Sequence, residues 1–382
     1  MEYGALPRRA TPRPWEDLAS FISRTARHMG YEQPEWVLHP ENSAQSIAPQ
    51  RLAYLSRLAD YELLERLLLL DEEVLYSLTL HRFATSLGGR HSTPGQLPLE
   101  IGRLQLLDPG FFWPRLETQI CPYCLYEEEA YDRLYWRVRT LLICPRHLIY
   151  LQHRCPACFK PIPALRSHPF LCPYCRKGDY RSVCEAIHPR DVWLYDTQVL
   201  LLEHLAIDYT EWGTPSHSKS LLKALSPRHY FLMLQQFEHL FVRETFASVV
   251  LRDLFQDPTL RSLSQRPGER KSAFLFHWLV AEWPKHFFWL LERIASLFPE
   301  EVYWGKGWSR WPVPWRELDF FLNPAFSVPD QQQTYSLLTD FFSAYETYFP
   351  SRWGTFWPWG LTHTVQHEPE RRIPPSPDDA RE

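Results

Sequence analysis

Cysteine is absent from most of this chain, because all eight cysteines lie between Cys121 and Cys184 of the 382 residues. The first residues also lack the apolar stretch of an export signal, and the longest near-continuous apolar run, around Ala273 to Ala281, is interrupted by His277. Such a run is too short to cross a bilayer, which needs about 20 apolar residues. Clustered thiols without an export signal indicate a reducing compartment. We therefore expect a cytoplasmic protein that does not bind membranes.

An excess of positive charge is also lacking, since 41 basic residues face 45 acidic ones and the formal net charge is −4. Strong nonspecific DNA binding depends on many phosphate contacts, so a chain with this balance is a poor candidate for it. The exception is the segment 121–184, which carries ten basic and five acidic side chains. Contact with nucleic acid is therefore permitted there, although charge alone does not establish it.

Seven cysteines and one histidine form four pairs, each with two residues between its ligands and proline after the first cysteine. Two ligands with this separation can bind one metal ion from a tight turn, and proline lowers the entropy lost on binding. Two pairs complete a tetrahedron, so the sequence predicts two structural Zn²⁺ ions. The simplest assignment is sequential, and in the alternative assignment alternate pairs share an ion. In the sequential assignment Cys121, Cys124, Cys144 and His147 bind zinc 1, whereas Cys155, Cys158, Cys172 and Cys175 bind zinc 2.

Catalysis by these zinc ions is disfavoured, because four protein ligands leave no position for water or substrate. Zinc deaminases need His-x-Glu followed by Pro-Cys-x-x-Cys. Here no glutamate lies between His147 and Cys175, and proline follows the cysteine instead of preceding it. The chain also shows no nucleophile–base motif and no phosphate-binding loop. We therefore expect a protein that is not an enzyme; the remaining cysteine, Cys184, is interpreted as a buried or surface thiol.

Apolar periodicity predicts a mainly α-helical fold with small β elements of the zinc-ribbon or zinc-finger type. We predict five segments. They are an extended arm (1–14), an N-terminal helical domain resembling a helix-turn-helix (15–115), tandem zinc fingers (116–185), an aromatic-rich helical domain (186–365) and a disordered tail (366–382).

The N-terminal domain is predicted to begin with a helix over 15–29 that ends at Gly30. Short helices follow over 51–58, from Asp60 to Leu70, and from Asp71, with the two aspartates as caps. Their length is compatible with a helix-turn-helix that binds DNA. A plain helical bundle is the alternative, and it is favoured by the net acidic charge of residues 61–120.

Within the predicted zinc fingers, the apolar periodicity does not distinguish a strand from a helix. Residues 134–139 alternate in a way that suits a strand as well as a helix, and Trp136 is expected in the core. Later helices are predicted over 196–206, from Ser226–Pro227 through Tyr230, Leu234, Phe237 and Phe241, over 273–298 with a kink or break at Pro284, and over 331–349.

Two stretches of the sequence resemble the TniQ family, which includes TnsD-type target selectors of Tn7-like transposons. One is PRPWEDLASFISRTARHMGY, similar to the opening helix of the family. The other is CPYCLYEEEAYDRLYWRVRTLLICPRHLIYLQHRCPAC, which resembles its signature in the order of the pairs, the single histidine and the tryptophan between pairs. The segment FLFHWLVAEWPKHFFWLLERI is similar to a C-terminal helix of such proteins.

This resemblance implies a transposition adaptor that selects the insertion site and passes the choice to the AAA+ ATPase TnsC, which recruits the transposase. Shorter members of CRISPR-associated transposons bind an RNA-guided effector such as Cascade, whereas TnsD-type members read a DNA site directly. The length of this chain resembles the Cascade-partner class, and its low basicity agrees, because guide pairing then reads the sequence. A homodimer is a further assembly that the sequence allows.

For the alternative of direct DNA binding, the basic side chains of the fingers are the candidate phosphate contacts. They are Arg133, Arg137, Arg139, Arg146, Arg154, Lys160 and Arg166. The other interpretation of each is a solvated surface charge. The resemblance also carries one departure: family-type knuckles often have glycine after the second ligand, where this chain has Leu125, Phe159 and Arg176.

Overall fold

The fold is described here from a computed structural model of the full chain. It describes residues 6–39, 47–53, 58–83, 116–127, 130–187, 192–207, 251–256 and 268–282, together with single positions between 227 and 293. All of them lie in one compact unit, Met1–Leu297. The expectations for the tail, the helix over 331–349, Phe237 and Phe241 lie outside the described residues.

The described part is mostly helical, with two small two-stranded sheets. Its α-helices are α1 (Leu18–Met29), α2 (Leu58–Leu68), α3 (Glu72–Ser77), α4 (Val192–His204), α5 (Leu251–Leu254) and α6 (Gly268–Ala281). Its strands are β1 (Glu117–Thr118), β2 (Ile143–Cys144), β3 (Ile149–Tyr150) and β4 (Ile162–Pro163). Short 3₁₀ helices cover Pro34–Leu38, Pro49–Arg51, Leu80–Phe83, Tyr123–Tyr126 and Leu134–Arg137. The mainly helical class with small β elements is therefore observed.

Helix α1 is at the centre of the N-terminal part. Asp17 caps it, since its Oδ1 accepts a hydrogen bond from the backbone N–H of Ala19 at 2.8 Å. The predicted stop at Gly30 is confirmed: this glycine has φ 77°, and its N–H bonds the carbonyl groups of the last turn. Phe21 and Ile22 are fully buried and pack with Leu64 and Leu67 of α2. The buried apolar side chains of α1 thus belong to the same core cluster as those of α2.

Helix α1 begins at Leu18 and not at the predicted residue 15, and the two aspartates predicted as caps have different outcomes. Helix α2 already begins at Leu58, so Asp60 lies in its first turn and does not cap it. Asp71 is the N-cap residue of α3, although its side chain makes no capping hydrogen bond. Within the described part of 51–58, residues 52 and 53 follow a 3₁₀ turn, Pro49–Arg51, instead of lying in an α-helix.

The two sheets belong to the cysteine-rich segment and tie its parts together. Strands β2 and β3 form an antiparallel hairpin, with Cys144 opposite Ile149. Strand β1 pairs antiparallel with β4, with Thr118 opposite Ile162. The second pairing closes a loop of more than 40 residues, so the start of the cysteine-rich segment is fixed to its middle.

Residues 134–137 form a 3₁₀ helix, so neither the predicted strand nor an α-helix is observed there. Trp136 is fully buried, which confirms its place in the core. Helices α4 and α6 pack against each other, and the ring of Phe274 lies 5.8 Å from that of Tyr150 on β3. Helix α4 begins four residues before the predicted 196–206, and α6 begins five before 273 and ends at Ala281. Among the described helices, none is both long and apolar enough to span a membrane.

Candidate metal centres

The first cluster of metal-type ligands joins the first two cysteine pairs. Cys121 follows β1, Cys124 lies in the 3₁₀ helix Tyr123–Tyr126, Cys144 ends β2, and His147 lies in the turn between β2 and β3. The four ligand atoms lie within 4.8 Å of one another. The Nδ1 atom of His147 faces all three sulfur atoms, at 3.3, 3.3 and 3.6 Å. Nδ1 is therefore the histidine nitrogen available to a shared ion.

The second cluster joins the third and fourth pairs, again with its ligand atoms within 4.8 Å of one another. The Sγ atoms of Cys155 and Cys175 are 3.8 Å apart, and those of Cys158 and Cys172 are 3.7 Å apart. The grouping of both clusters is therefore sequential. No interleaved arrangement occurs among the described residues, which include all eight ligands.

These distances fit a tetrahedral zinc ion. With Zn–S bonds of about 2.3 Å, two sulfur ligands of a tetrahedron lie about 3.8 Å apart, and a sulfur and a nitrogen ligand about 3.6 Å apart. The observed S–S distances are 3.7 and 3.8 Å, and the S–N distances 3.3 to 3.6 Å. The donor sets, three thiols with one imidazole and four thiols, are those of structural zinc sites. Both clusters thus suggest structural metal sites, and zinc fits them.

Three of the four pairs share one backbone turn, which explains how they aim two ligands at one point. The residue after the second ligand donates its N–H to the carbonyl of the first ligand, at 2.8 Å for Leu148, 2.9 Å for Phe159 and 2.9 Å for Arg176. All three have positive φ, between 53° and 58°. The departure from glycine therefore does not prevent the knuckle turn; the chain forms it with residues that cost about 1–2 kcal/mol each in this conformation.

All three turns are the tips of small hairpins, and strands β2 and β3 flank the second pair. Bridges between Arg154 and Pro161 and between Leu171 and Asp179 flank the third and fourth pairs. The first pair is different, because it lies on a 3₁₀ helix and Leu125 does not have positive φ. Leu125 is buried, whereas Phe159 and Leu148 are 68% and 44% exposed. The first pair is therefore held by the protein core and the others by their own turns.

Gly178 fits closely against the second cluster. A Cβ atom at this position would lie 2.2 Å from Cys155 Sγ and 3.5 Å from the Cβ atom of Cys172. The carbonyl of Gly178 also accepts the N–H of Cys172 at 2.9 Å. No side chain can be accommodated there without moving a ligand. No sequence pattern indicates this role, because Gly178 lies three residues after the last ligand.

Backbone N–H groups of the last turn favour the thiolate form of its cysteines. The N–H of Lys177, with that of Gly178, lowers the pKa of Cys175 to about 6. Burial opposes the charged form of Cys172, but hydrogen bonds from the N–H groups of Cys175 and Tyr174 lower its pKa below the usual range. The thiolate is the form that binds a metal ion, so this turn is suited to ligation.

The first cluster is joined to α1 through backbone bonds and buried charges. The N–H of Leu134 donates to the carbonyl of Trp15 at 2.6 Å, and the N–H of Asp17 donates to that of Asp132 at 3.0 Å. Asp132 in turn receives two hydrogen bonds from Arg166, at 2.5 and 2.7 Å. The start of α1, the loop between the first two pairs and the loop between the last two therefore meet at one buried point.

Three of the seven basic residues predicted as phosphate contacts lie in the interior of the fold. Arg133, Arg137 and Arg166 are buried. They pair with Glu127, Asp17 and Asp132 respectively. Arg137 also donates to the carbonyl of Glu117. Because their charges are used inside the fold, we limit the phosphate-contact hypothesis to the remaining four.

Those four lie nearer the surface. The Nη1 atom of Arg146 pairs with Glu127 at 2.6 Å, and its side chain is 48% exposed. Arg154 is half-buried and donates to the carbonyl of Phe159 at 3.1 Å, while Arg139 is also half-buried. Lys160 is exposed, and its Nζ lies 4.9 Å from the ring centre of Tyr174. Arg154 and Lys160 are therefore at the second cluster, and Arg146 is at the first.

Helices α2 and α3 follow each other through a three-residue turn, Leu69–Asp71, in which Leu69 has positive φ. A helix-turn-helix that binds DNA presents the start of its second helix to base edges. Here α3 has six residues and begins with Glu72 and Glu73, whose charges repel phosphate. Burial and the neighbouring Glu65 and Glu73 raise the pKa of Glu72. This geometry favours the helical-bundle interpretation.

Cys184 is exposed, so the surface-thiol interpretation holds.

A buried polar contact that the sequence did not indicate connects the fingers with the later helices. His277 of α6 lies 2.6 Å from Gln198 of α4 and 2.8 Å from the carbonyl of Thr140, through its Nε2 atom. Gln198 Oε1 accepts the N–H of Leu142 at 2.6 Å. The only signal in the sequence was His277 within an apolar run.

Residues 7–151 match the model of the TniQ family. The matched range includes α1, the helices that follow it and the whole first cluster, and it ends before Cys155 of the second. No curated protein matches the chain.

Proposed function

We propose that this chain, whose residues 7–151 form a TniQ family domain, is a target-selection adaptor that links a guide-RNA effector such as Cascade to the ATPase TnsC. The family implies a transposition-associated protein that selects targets, and its members are generally non-catalytic. The links to a guide-RNA effector and to the ATPase TnsC are proposed for this chain in addition to target selection. The family match is the observation that carries it.

Two features of the described residues support an adaptor. Each metal cluster contains four protein ligands, which is the arrangement of a closed, structural site. Around the clusters, the protein uses its charges internally: Arg133, Arg137 and Arg166 are buried in ion pairs. Such a framework can present surfaces to protein partners while contributing few phosphate contacts of its own. An adaptor of this kind needs few phosphate contacts, because base pairing with the guide RNA reads the DNA sequence.

The test is co-purification of the tagged chain from a host that carries its neighbouring genes. We expect Cas proteins, guide RNA and the ATPase to be recovered together. A matched control is the Cys184→Ser variant, which changes an exposed thiol outside both clusters and should recover the same partners. Recovery of the ATPase with one DNA fragment, and without Cas proteins, would reject the RNA-guided form.

Direct binding of a DNA site is the second candidate, and one feature favours it. The two turns of the second cluster, 155–160 and 172–178, carry Lys160, Arg176 and Lys177, all exposed, and no acidic residue. Replacing Arg139, Arg146, Arg154 and Lys160 with glutamine should then weaken DNA binding. Each lost phosphate contact should reduce the slope of log K against log salt by about one. Absence of DNA binding by the unmodified chain would exclude this candidate.

A further inference from the structure

A cleft of about 540 Å³ lies between the end of α1 and the cysteine-rich segment. Its volume falls within the range of about 300 to 1,000 Å³ that is typical of ligand pockets. Arg27 and His28 come from the last turn of α1. Tyr126 comes from the 3₁₀ helix of the first cluster, and Phe170 and Arg181 come from the segment around the fourth pair. The cleft therefore joins elements that are far apart in sequence.

Arg27 provides a cation that the protein does not neutralise. Its Nη1 donates to the carbonyl of Ser167 at 3.2 Å, and no carboxylate of the described residues forms an ion pair with it. Burial, with the nearby charges of Arg166 and Arg24, lowers the pKa of Arg27 to about 10. Arg24 and Arg166, by contrast, have carboxylate partners in Glu16 and Asp132. An anion in the cleft would supply the partner that Arg27 lacks.

Aromatic side chains, Tyr126 and Phe170, also line the cleft. The guanidinium carbon of Arg181 lies 3.9 Å from the ring centre of Phe170 and 5.3 Å from that of Tyr126. The Tyr126 side chain is 62% exposed, so the cation covers only part of it. One carboxylate, Glu127, also lines the cleft, and it is engaged by Arg133 at 3.0 Å and Arg146 at 2.6 Å.

From this combination we infer that the cleft binds one nucleotide of a single-stranded nucleic acid, with its phosphate at Arg27 and its base against Tyr126. A nucleotide joins a negative group to a flat ring in one unit, which matches a cation and an exposed aromatic side chain that line the same cleft. An acidic peptide would match the cation but would leave the ring without a partner. A duplex keeps its bases paired and stacked, so a base could not enter without unstacking. The site is separate from the surface cations considered above for DNA.

The test is fluorescence anisotropy of labelled oligouridine and oligothymidine decamers with the isolated, zinc-loaded full chain over a range of salt concentrations. Arg27→Gln should weaken binding about tenfold and reduce the salt slope by about one. Tyr126→Ala should weaken it about tenfold without changing the slope, because stacking carries no charge. Arg66→Gln, which removes the same charge from α2 outside the cleft, is the matched control and should bind like the unmodified chain.

Metal content and melting temperature verify that each variant is folded; if Arg27→Gln fails this check, the exposed Tyr126 still provides the test. Unchanged affinity in a folded Tyr126→Ala variant overturns the inference. So does the absence of oligonucleotide binding by the unmodified chain, or a ten-residue glutamate peptide that binds through Arg27 when the oligonucleotides do not. Because the assay contains no transposition partner, its failure is distinguishable from failure of the adaptor proposal.

Discussion

Arg166 and Asp132 form a bidentate ion pair, in which Nη1 and Nη2 of Arg166 contact the two carboxylate oxygens of Asp132 at 2.5 and 2.7 Å. Both side chains are buried, and the N–H of Asp132 is bonded to Ser20 of α1 at 2.9 Å. The pair thus links the loop between the last two cysteine pairs to the loop between the first two and to α1.

Removal of one partner should be costly because it leaves a buried charge without compensation. We expect Arg166→Met to lower the free energy of unfolding by about 3–5 kcal/mol. Denaturant titration measures this change, and Arg154→Gln, at a half-buried surface site, is the control with an expected change of about 0.5 kcal/mol or less. A stable Arg166→Met variant with reduced DNA affinity would instead assign Arg166 to phosphate binding.

Each cluster should bind one zinc ion that contributes to folding. Cys121→Ser and Cys155→Ser should each reduce the zinc content from two ions per chain to one and yield insoluble protein. Elemental analysis of the purified chain, with native mass spectrometry, measures the content. Cys184→Ser is the matched control, since this exposed thiol belongs to neither cluster. Full solubility with both ions retained in the ligand variants would refute the ligand assignment.

Glycine should be tolerated where the knuckle turn requires positive φ. Phe159 has φ 58° and is 68% exposed, so Phe159→Gly removes strain while losing little packing. We expect stabilisation of about 0.5 to 1 kcal/mol, the excess of the left-handed strain over the flexibility of glycine. Leu125→Gly, at the equivalent position of the first pair, is the contrast: its side chain is buried and φ is not positive, so about 3 kcal/mol should be lost. Thermal unfolding compares the two, and equal losses would contradict the assigned turn.

Two glycine-to-alanine changes should separate steric exclusion from backbone strain. Gly178→Ala introduces a Cβ atom 2.2 Å from Cys155 Sγ and should therefore abolish the second zinc ion while the first is retained. At Gly30, where φ is 77° and nothing lies within 4 Å, Gly30→Ala should cost only about 1 to 2 kcal/mol and keep both ions. Zinc content and unfolding free energy are measured together. Retention of two ions in Gly178→Ala would show that the backbone can move away from Cys155.

Burial of His277 predicts a dependence of stability on pH. Desolvation lowers the pKa of His277 to about 4, so the folded protein holds it neutral while an unfolded chain, with the ordinary pKa of 6.5, takes up a proton. The stability that the fold gains from holding His277 neutral is present above pH 6.5 and is lost as the pH falls towards 4. Between pH 7 and pH 5 the loss should be about 2 kcal/mol. Cysteine protonation also acts in this range, so the unmodified chain is compared with His277→Gln, which should show a loss about 2 kcal/mol smaller. Equal losses would place His277 in contact with water.

Local features of the chain were predicted from sequence because short-range rules govern them. The stop of α1 at Gly30 was predicted because glycine adopts the left-handed conformation there, whereas α1 begins at Leu18, after the Asp17 cap, and not at the predicted residue 15. The Cys-Pro-x-Cys and Cys-Pro-x-His spacings indicated which residues could share an ion. Both depend on neighbours within a few residues.

Features that depend on distant partners were not predicted. The sequence presents Arg133, Arg137 and Arg166 only as basic residues of a basic segment, whereas burial against Glu127, Asp17 and Asp132 decides their role. The contact of His277 with Thr140 spans more than 130 residues and has no local pattern. Residues 134–137 form a 3₁₀ helix whose first N–H, that of Leu134, donates to the carbonyl of Trp15, and no periodicity encodes this distant contact.

The pairing of β1 with β4 limits where an N-terminal fragment of the chain can end. The family match ends at residue 151, before Ile162, which pairs with Thr118, and before Arg166, which neutralises Asp132. A fragment cut at that point would contain all ligands of the first cluster, yet it would carry an unpaired strand edge and a buried carboxylate without its cation. In gene-fusion or truncation work, an N-terminal piece must therefore continue at least through Arg166 to keep these contacts, and through Cys175 to keep all ligands of the second cluster.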